Sequence, residues 1–257
     1  MSDLLIERNG SMLVLTLNRP ESLNAFSAEM IGLMTEQFQL AGQDETVKAI
    51  VLKGAGRSFS AGGDVKGMGQ GGPQDIYNHV GRLNECIIAM QKLEKPIIAA
   101  VHGFAAGAGF NLALACDFII AEENSKFVLS FSQVGLISDG GGLYFLPRVA
   151  SPQKIKEWLF LAEPITAQEA YQCGFINRIV PQRQMEEEVT VFAGRLARGP
   201  LKAYGKMKAI LNDSYQMTVE EVLESERLTQ MLMIDTDDHF EGVAAFKEKR
   251  KPVFEGR

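Results

Sequence analysis

The period of the apolar positions changes several times along the chain. Leu4 to Glu7 and Met12 to Asn18 are β-rich runs separated by Asn9-Gly10, a dipeptide that adopts positive φ at little cost, so the chain opens on a hairpin. Met30, Leu33, Met34, Phe38 and Ala41 recur at helical spacing behind Ser27, a hydroxyl placed to cap a helix start. Val47 to Leu52, Ile97 to Val101 and Cys116 to Ala121 are short apolar runs, the pattern of buried strands. Ile76 to Leu93 has helical period between the first two, and a Gly/Ala-rich helix start follows Val101. Strands separated by helices predict a layered α/β core with parallel pairing. After Ser151 the pattern turns helical: Ile155 to Leu161, Ala167 to Cys173, Gln182 to Ala197, Leu201 to Leu211, Val219 to Met233 and Phe240 to Lys249. One short strand is predicted in that region, from Phe175 to Val180.

Composition narrows the function classes. With 257 residues and 46% hydrophobic side chains, the chain can bury a sizeable core unaided. Lys and Arg total 26 against 32 Asp and Glu, a net charge of −6. Nucleic acid and anionic membranes are therefore not expected partners, and an anionic ligand must be held by local cations. Cys86, Cys116 and Cys173 have no paired spacing, which fits buried thiols in a reducing compartment. No window reaches the roughly 18 apolar residues of a membrane helix, so a soluble, cytoplasmic protein is expected.

Several chemistries lack their residues. His79, His102 and His239 have no ligand partner at metal-binding spacing, and no metal site is expected. Gly107-Ala108-Gly109 lacks the third glycine of a dinucleotide fingerprint, since Leu112 stands there. Gly205-Lys206 is followed by Met207 rather than Ser or Thr, and no Gly-x-Ser-x-Gly occurs. Acid–base chemistry or binding is left.

Two segments set a flexible strand exit against a helix start: Ser58 to Lys66 and His102 to Leu112. The first N–H groups of a helix have no intrahelical acceptor, so such starts can hold a developing oxyanion. Small residues there let a substrate approach the backbone. Taken singly, each loop fits a tight turn equally well, with Asp64 as a helix cap.

Jointly, the segments resemble the crotonase family, the enoyl-CoA hydratase/isomerase superfamily. Leu17-Asn18-Arg19-Pro20-Glu21-Ser22-Leu23-Asn24-Ala25 is similar to its N-terminal CoA-binding loop, and Ser58 to Met68 and Ala100 to Asp117 to its two oxyanion loops. Gly135 to Arg148 and Glu163 to Val180 resemble the later active-site segment and the helix and strand that follow it. The resemblance implies an α/β, crotonase-like spiral of ββα units with a helical C-terminal trimerisation region. Residues 1–195 would form the core with the acyl-CoA site, and 196–257 the assembly region of a homotrimer or a hexamer made of two trimers. It implies an acyl-CoA thioester whose oxygen is held by the backbone N–H groups of Gly63 and Ala108, with no cofactor beyond the CoA carried by the substrate. Arg19, Ser22, Leu23, Ala61, Asp64, Val65, Lys66, Gly107, Asn111, Phe131 and Lys249 are the expected substrate contacts. Arg19, Lys66 and, from the tail, Lys249 and Arg250 are the expected phosphate partners. The segment Gly67 to Pro73 is expected to order on CoA binding.

The chain departs from the hydratase pattern at two places. Where hydratases of this family carry two glutamates that activate water, it has Asn111 and Phe131. Neither exchanges a proton near neutral pH. Instead Ile137-Ser138-Asp139-Gly140-Gly141-Gly142 puts Asp139 where isomerase-type members carry an aspartate, most like the 1,2-epoxyphenylacetyl-CoA isomerase branch. The same aspartate also fits a helix N-cap. The resemblance implies an acyl-CoA isomerase that shifts a double bond, or isomerises a ring epoxide, by Asp139-mediated proton transfer. The alternatives are a hydratase using another carboxylate, with Glu122, Glu123, Glu157 and Glu163 available, and a non-catalytic acyl-CoA-binding subunit.

Overall fold

The structure is a computed structural model that describes residues 2–64 and 72–257. Strands β1 (Leu4–Asn9) and β2 (Met12–Leu17) form the expected antiparallel hairpin, with Gly10 at φ +59°. Beside β2, strands β3 (Ala49–Gly54), β4 (Ile97–Val101), β6 (Phe118–Glu122) and β9 (Arg178–Val180) all run parallel, giving the order β1-β2-β3-β4-β6-β9. Alternate residues face opposite ways. Ile50 and Leu52 join a core cluster with helix α1 (Ala28–Gln43) and helix α2 (Pro73–Lys92), while Val51, Ile98 and Ile120 meet Val189 and Ala193 of α7 (Met185–Ala197). A central sheet covered by helices on both faces explains why these strands read as continuous apolar runs. Ser27 caps α1 by accepting the Met30 N–H at 3.0 Å.

A second sheet, β5 (Phe104–Ala106), β7 (Lys126–Val128) and β8 (Ile165–Thr166), is absent from the sequence reading. Its strands have two or three residues, too few to show a period. They give the fold its spiral. After β4 and β6 the chain steps into this second sheet before turning helical, as in β4-β5-α3, where α3 is Ala108–Leu114. The loop after β3 repeats the step through a parallel bridge from Ser60 to Ala105. The predicted 175–180 strand begins only at Arg178. Phe175 instead packs its ring against Phe110, Phe127 and Trp158.

The short α4 (Gly142–Phe145), then α5 (Pro152–Leu161) and α6 (Ala167–Gln172), complete the core. Helices α8 (Leu201–Asp213), α9 (Val219–Met233) and α10 (Asp237–Glu248) follow. Helix α8 and the tail after α10 reach the N-terminal ends of the parallel strands. Lys208 pairs with Asp117 at 2.8 Å just before β6, and Lys48 just before β3 donates to the Glu255 carbonyl at 2.9 Å. Helix α9 buries no residue, and Leu228, Met231 and Leu232 lie exposed at i, i+3, i+4 spacing. Among the described residues no helix is long and apolar enough to cross a membrane.

Candidate active site

Catalytic geometry in parallel sheets gathers at the C-terminal strand ends, and here β3 and β4 release the two glycine loops side by side. Asn24 ties the first loop to the 19–25 turn. Fully buried at φ +56°, it donates through Nδ2 to the carbonyls of Ala55, Ser58 and Phe59 at 2.8, 2.8 and 3.2 Å, and accepts the Arg19 N–H at 2.9 Å. Ala61 N–H donates to the Leu23 carbonyl at 2.8 Å, and Ser22 Oγ to the Arg19 carbonyl at 3.1 Å. Arg19 donates to the Ala25 carbonyl at 2.7 Å and pairs with Asp64 at 3.2 Å and Asp3 at 3.7 Å. The expected contacts Arg19, Ser22, Leu23, Ala61 and Asp64 thus come together, with the Arg19 charge set between two carboxylates.

The two loops cross in backbone contact. Gly62 sits at φ +81°, and a Cβ there would lie 2.5 Å from the Ala106 carbonyl oxygen, 2.7 Å from Ala108 N and 2.9 Å from Gly109 N. A Cβ on Gly109 would come within 2.7 Å of Ser60 Cβ. Phe26 N–H donates to the Gly62 carbonyl at 2.7 Å in a parallel bridge, which turns the Gly63 amide to the other side. Gly107, at φ +51°, is the N-cap of α3; the first amide that bonds back to it is Phe110 N–H, so Ala108 N–H lies before the helical ladder. The Phe131 ring reaches this point, with Cζ 3.7 Å from where a Gly107 side chain would begin.

One turn into α3, the buried Asn111 side chain meets the segment before α4. Its Nδ2 donates to Ser138 Oγ at 2.9 Å and to the Asp139 carbonyl at 2.7 Å. Asp139 is half-buried, and burial, only partly offset by its own backbone N–H, pushes its carboxyl above the usual range. Among the described residues, the only buried side-chain N or O atoms without a hydrogen-bond partner are Asn111 Oδ1 and Asp139 Oδ1. Both belong to this site. Asp139 lies ahead of α4, but the α4 N-cap is Gly141, with no side-chain capping bond, so the N-cap role weighed for Asp139 is not realised.

Lys249 caps α10 in a left-handed conformation, and Arg250 pairs with Glu241 and Glu248. Val65, Lys66 and all but the last two residues of Gly67 to Pro73 lie outside the described residues. Glu123, Glu157 and Glu163 are exposed, Glu157 beside Lys154 at 2.8 Å. Burial raises the Cys86 thiol to about 12 and pushes the Cys116 thiol well above its ordinary value, so both thiols stay protonated. A cavity of about 680 Å³ opens between Leu114, Asp117, Tyr144, Arg148, Lys208 and Tyr215, at the opposite end of α3 from the crossing loops. Asn24, Gly62 and Gly142 are site residues the sequence did not single out. Asn24 and the glycine runs were visible, but not the left-handed turn of the one or which of the others carries a close contact.

The profile of enoyl-CoA hydratases/isomerases matches residues 7–257, nearly the whole chain and both crossing loops. The chain belongs to the enoyl-CoA hydratase/isomerase family. This family member is 38% identical to the 1,2-epoxyphenylacetyl-CoA isomerase of Escherichia coli K12, over 96% of the chain and 95% of the relative. It is 33% identical to the 2,3-dehydroadipyl-CoA hydratase of the same strain over the full length of both. Its fold superposes on the crystal structure of an enoyl-CoA hydratase from Polaromonas sp. JS666 with TM-score 0.94 at 33% identity, covering 97% of the chain and 98% of that structure. The crotonase-like α/β fold expected from the sequence is therefore the fold found. Relatives of comparable identity carry out isomerisation and hydration, so the reaction has to be argued from the site.

Proposed function

We propose that this family member is an acyl-CoA isomerase in which Asp139 moves the proton. The observation that carries the reading is the half-buried Asp139 carboxyl with an unpartnered Oδ1, its main chain bonded by Asn111, while Asn111 and Phe131 occupy the places where a hydratase of this family would hold its two acids. In a 3-enoyl-CoA, Asp139 takes a proton from carbon 2. The electron pair spreads over the dienolate, whose oxygen receives the Gly63 and Ala108 N–H groups, and the same acid returns the proton to carbon 4. Removing one such donor typically raises the barrier by ~3 kcal/mol. A carboxyl raised by burial is a stronger base once ionised, nearer in strength to the carbon acid it serves. The 38% identity to an epoxyphenylacetyl-CoA isomerase supports the same class, with ring-epoxide isomerisation as the other reaction of that type.

No metal or redox cofactor enters this reaction; CoA arrives with the substrate. The exposed apolar stripe of α9 supports assembly as a homotrimer or a pair of trimers, and the unpaired cysteines fit a cytoplasmic setting. The deciding experiment follows 3-hexenoyl-CoA and 2-hexenoyl-CoA by proton NMR in deuterated water, with wild type and Asp139→Asn side by side. Double-bond migration or carbon-2 exchange that disappears in the variant is the expected result. Formation of 3-hydroxyhexanoyl-CoA at equal rates in both proteins would establish a hydratase instead, and binding of hexanoyl-CoA without turnover a non-catalytic subunit.

A further inference from the structure

We propose that Asn111 is the positioning residue of Asp139, holding the base in register with the thioester through the Ser138–Asp139 turn. The inference rests on the isomerase reading above. Both Nδ2 hydrogens are committed, one to Ser138 Oγ at 2.9 Å and one to the Asp139 main-chain carbonyl at 2.7 Å. The carbonyl fixes the amide orientation, since only the NH2 end can face an acceptor-only group. Asn111 is three residues after Ala108 on the seven-residue α3, and residues so spaced share a helix face. One short rigid element therefore carries both an oxyanion donor and the clamp on the base. Their separation is fixed by the helix rather than by two independent loops.

Gly142 belongs to the same device. A Cβ there would overlap Ser138 Oγ and lie 2.5 and 2.6 Å from Asn111 Oδ1 and Nδ2, so the clamp requires a glycine at the first residue of α4. Gly140, at φ +56°, passes Asn111 Cβ at 3.6 Å in the same measure. The glycine run after Asp139 thus lets the chain close over the amide. The amide is fully buried, yet its Oδ1 has no donor. A leucine of similar size would fill the place without leaving an orphaned oxygen, so packing alone does not account for asparagine here. With both hydrogens committed, Asn111 has none to offer a water, and its amide cannot take a proton as the family glutamate does.

The test uses the full chain with Asn111→Leu, Gly142→Ala and Asp139→Asn. It measures kcat and KM for 3-hexenoyl-CoA, the Kd of the unreactive hexanoyl-CoA, and the melting temperature. Misplacing a catalytic group by about 1 Å can cost about 100-fold. Asn111→Leu and Gly142→Ala should each lower kcat by about that factor while KM and the hexanoyl-CoA Kd stay within about threefold. A folded Asn111→Leu protein with wild-type kcat overturns the inference, and so does a kcat loss matched by an equal loss of hexanoyl-CoA affinity, which marks a merely structural residue. If Asn111→Leu does not fold, Gly142→Ala decides by the same criteria. Turnover surviving in Asp139→Asn would refute the isomerase reading itself, independently of the Asn111 result.

Discussion

Replacing Gly62 by alanine tests whether the crossing of the two loops builds the oxyanion site. The new methyl would start 2.5 Å from the Ala106 oxygen and 2.7 Å from Ala108 N, against the 3.4 Å at which ordinary contact begins. The Ala106 carbonyl would have to retreat by about 0.9 Å and the Ala108 amide by about 0.7 Å. Both are backbone atoms, which cannot step aside by rotating a side chain. The alanine also takes on a left-handed conformation at φ +81°, at roughly 1–2 kcal/mol. A displacement of this size at a donor to the enolate should cost on the order of 100-fold in kcat, comparable to deleting an oxyanion-hole donor at ~3 kcal/mol. Gly174→Ala is the control, because Gly174 has φ +88° but nothing within 4 Å of its would-be Cβ, so it adds backbone strain without contact. The assay is carbon-2 deuterium exchange from 3-hexenoyl-CoA, read by proton NMR alongside thermal melting. A folded Gly62→Ala protein exchanging within about threefold of wild type would refute the assignment of these amides.

Asp139→Asn should remove about 10²–10⁴ of the turnover and raise the melting temperature at neutral pH. The sign follows from burial: the folded carboxyl titrates above its unfolded value, so the native protein is penalised as pH rises through that window. The variant's extra stability should therefore appear at neutral pH and vanish in acid, and equal melting at both pH values would contradict it. In the wild type, the rate should fall on acidification at a pH above the usual carboxylate range; a profile flat down to that range would argue for another base. Lys208→Met should strand the half-buried Asp117, which already titrates high through burial despite its pairing and accepts the Ile97 N–H at 2.8 Å. Breaking a fully buried pair costs about 3–5 kcal/mol; here the loss should be smaller, largest at neutral pH and less once Asp117 is protonated, and urea titrations at two pH values that give the same deficit would refute this. Leu228→Glu combined with Met231→Glu, on the exposed face of α9, should reduce the mass seen by light scattering to that of a single chain. An unchanged mass would refute the assembly role proposed for this face.

The sheet and the helices around it were legible because each carries its own local signal. Ser27 capping α1, the Asn9-Gly10 turn and the apolar runs of β3 and β4 all appear within a few residues. The second sheet was not legible, since β8 has two residues and its partner β7 lies some 40 positions away. Asp139 could be picked out as an acid in a glycine run, but its burial could not. The raised carboxyl comes from burial by segments distant in sequence, which no local pattern reveals.

Glycine shows most clearly what local pattern leaves out. The chain has 25 glycines, and nothing in the sequence separates those that only turn the chain from those that permit contact. Gly10, Gly135 and Gly174 adopt positive φ with open space around them, so they answer to conformation alone. At Gly54, Gly62, Gly103 and Gly109 a side chain would strike the neighbouring loop, and at Gly142 it would strike the Asn111 amide. These five hold together what no single segment encodes: two crossing backbones, to which the proposal assigns the oxyanion donors, and the Asn111 contact with the Ser138–Asp139 turn. Strain at a glycine of the first kind should cost stability. A methyl at one of the second kind moves a donor or the base and should cost catalysis first, which is why the Gly62 and Gly174 pair separates the two effects.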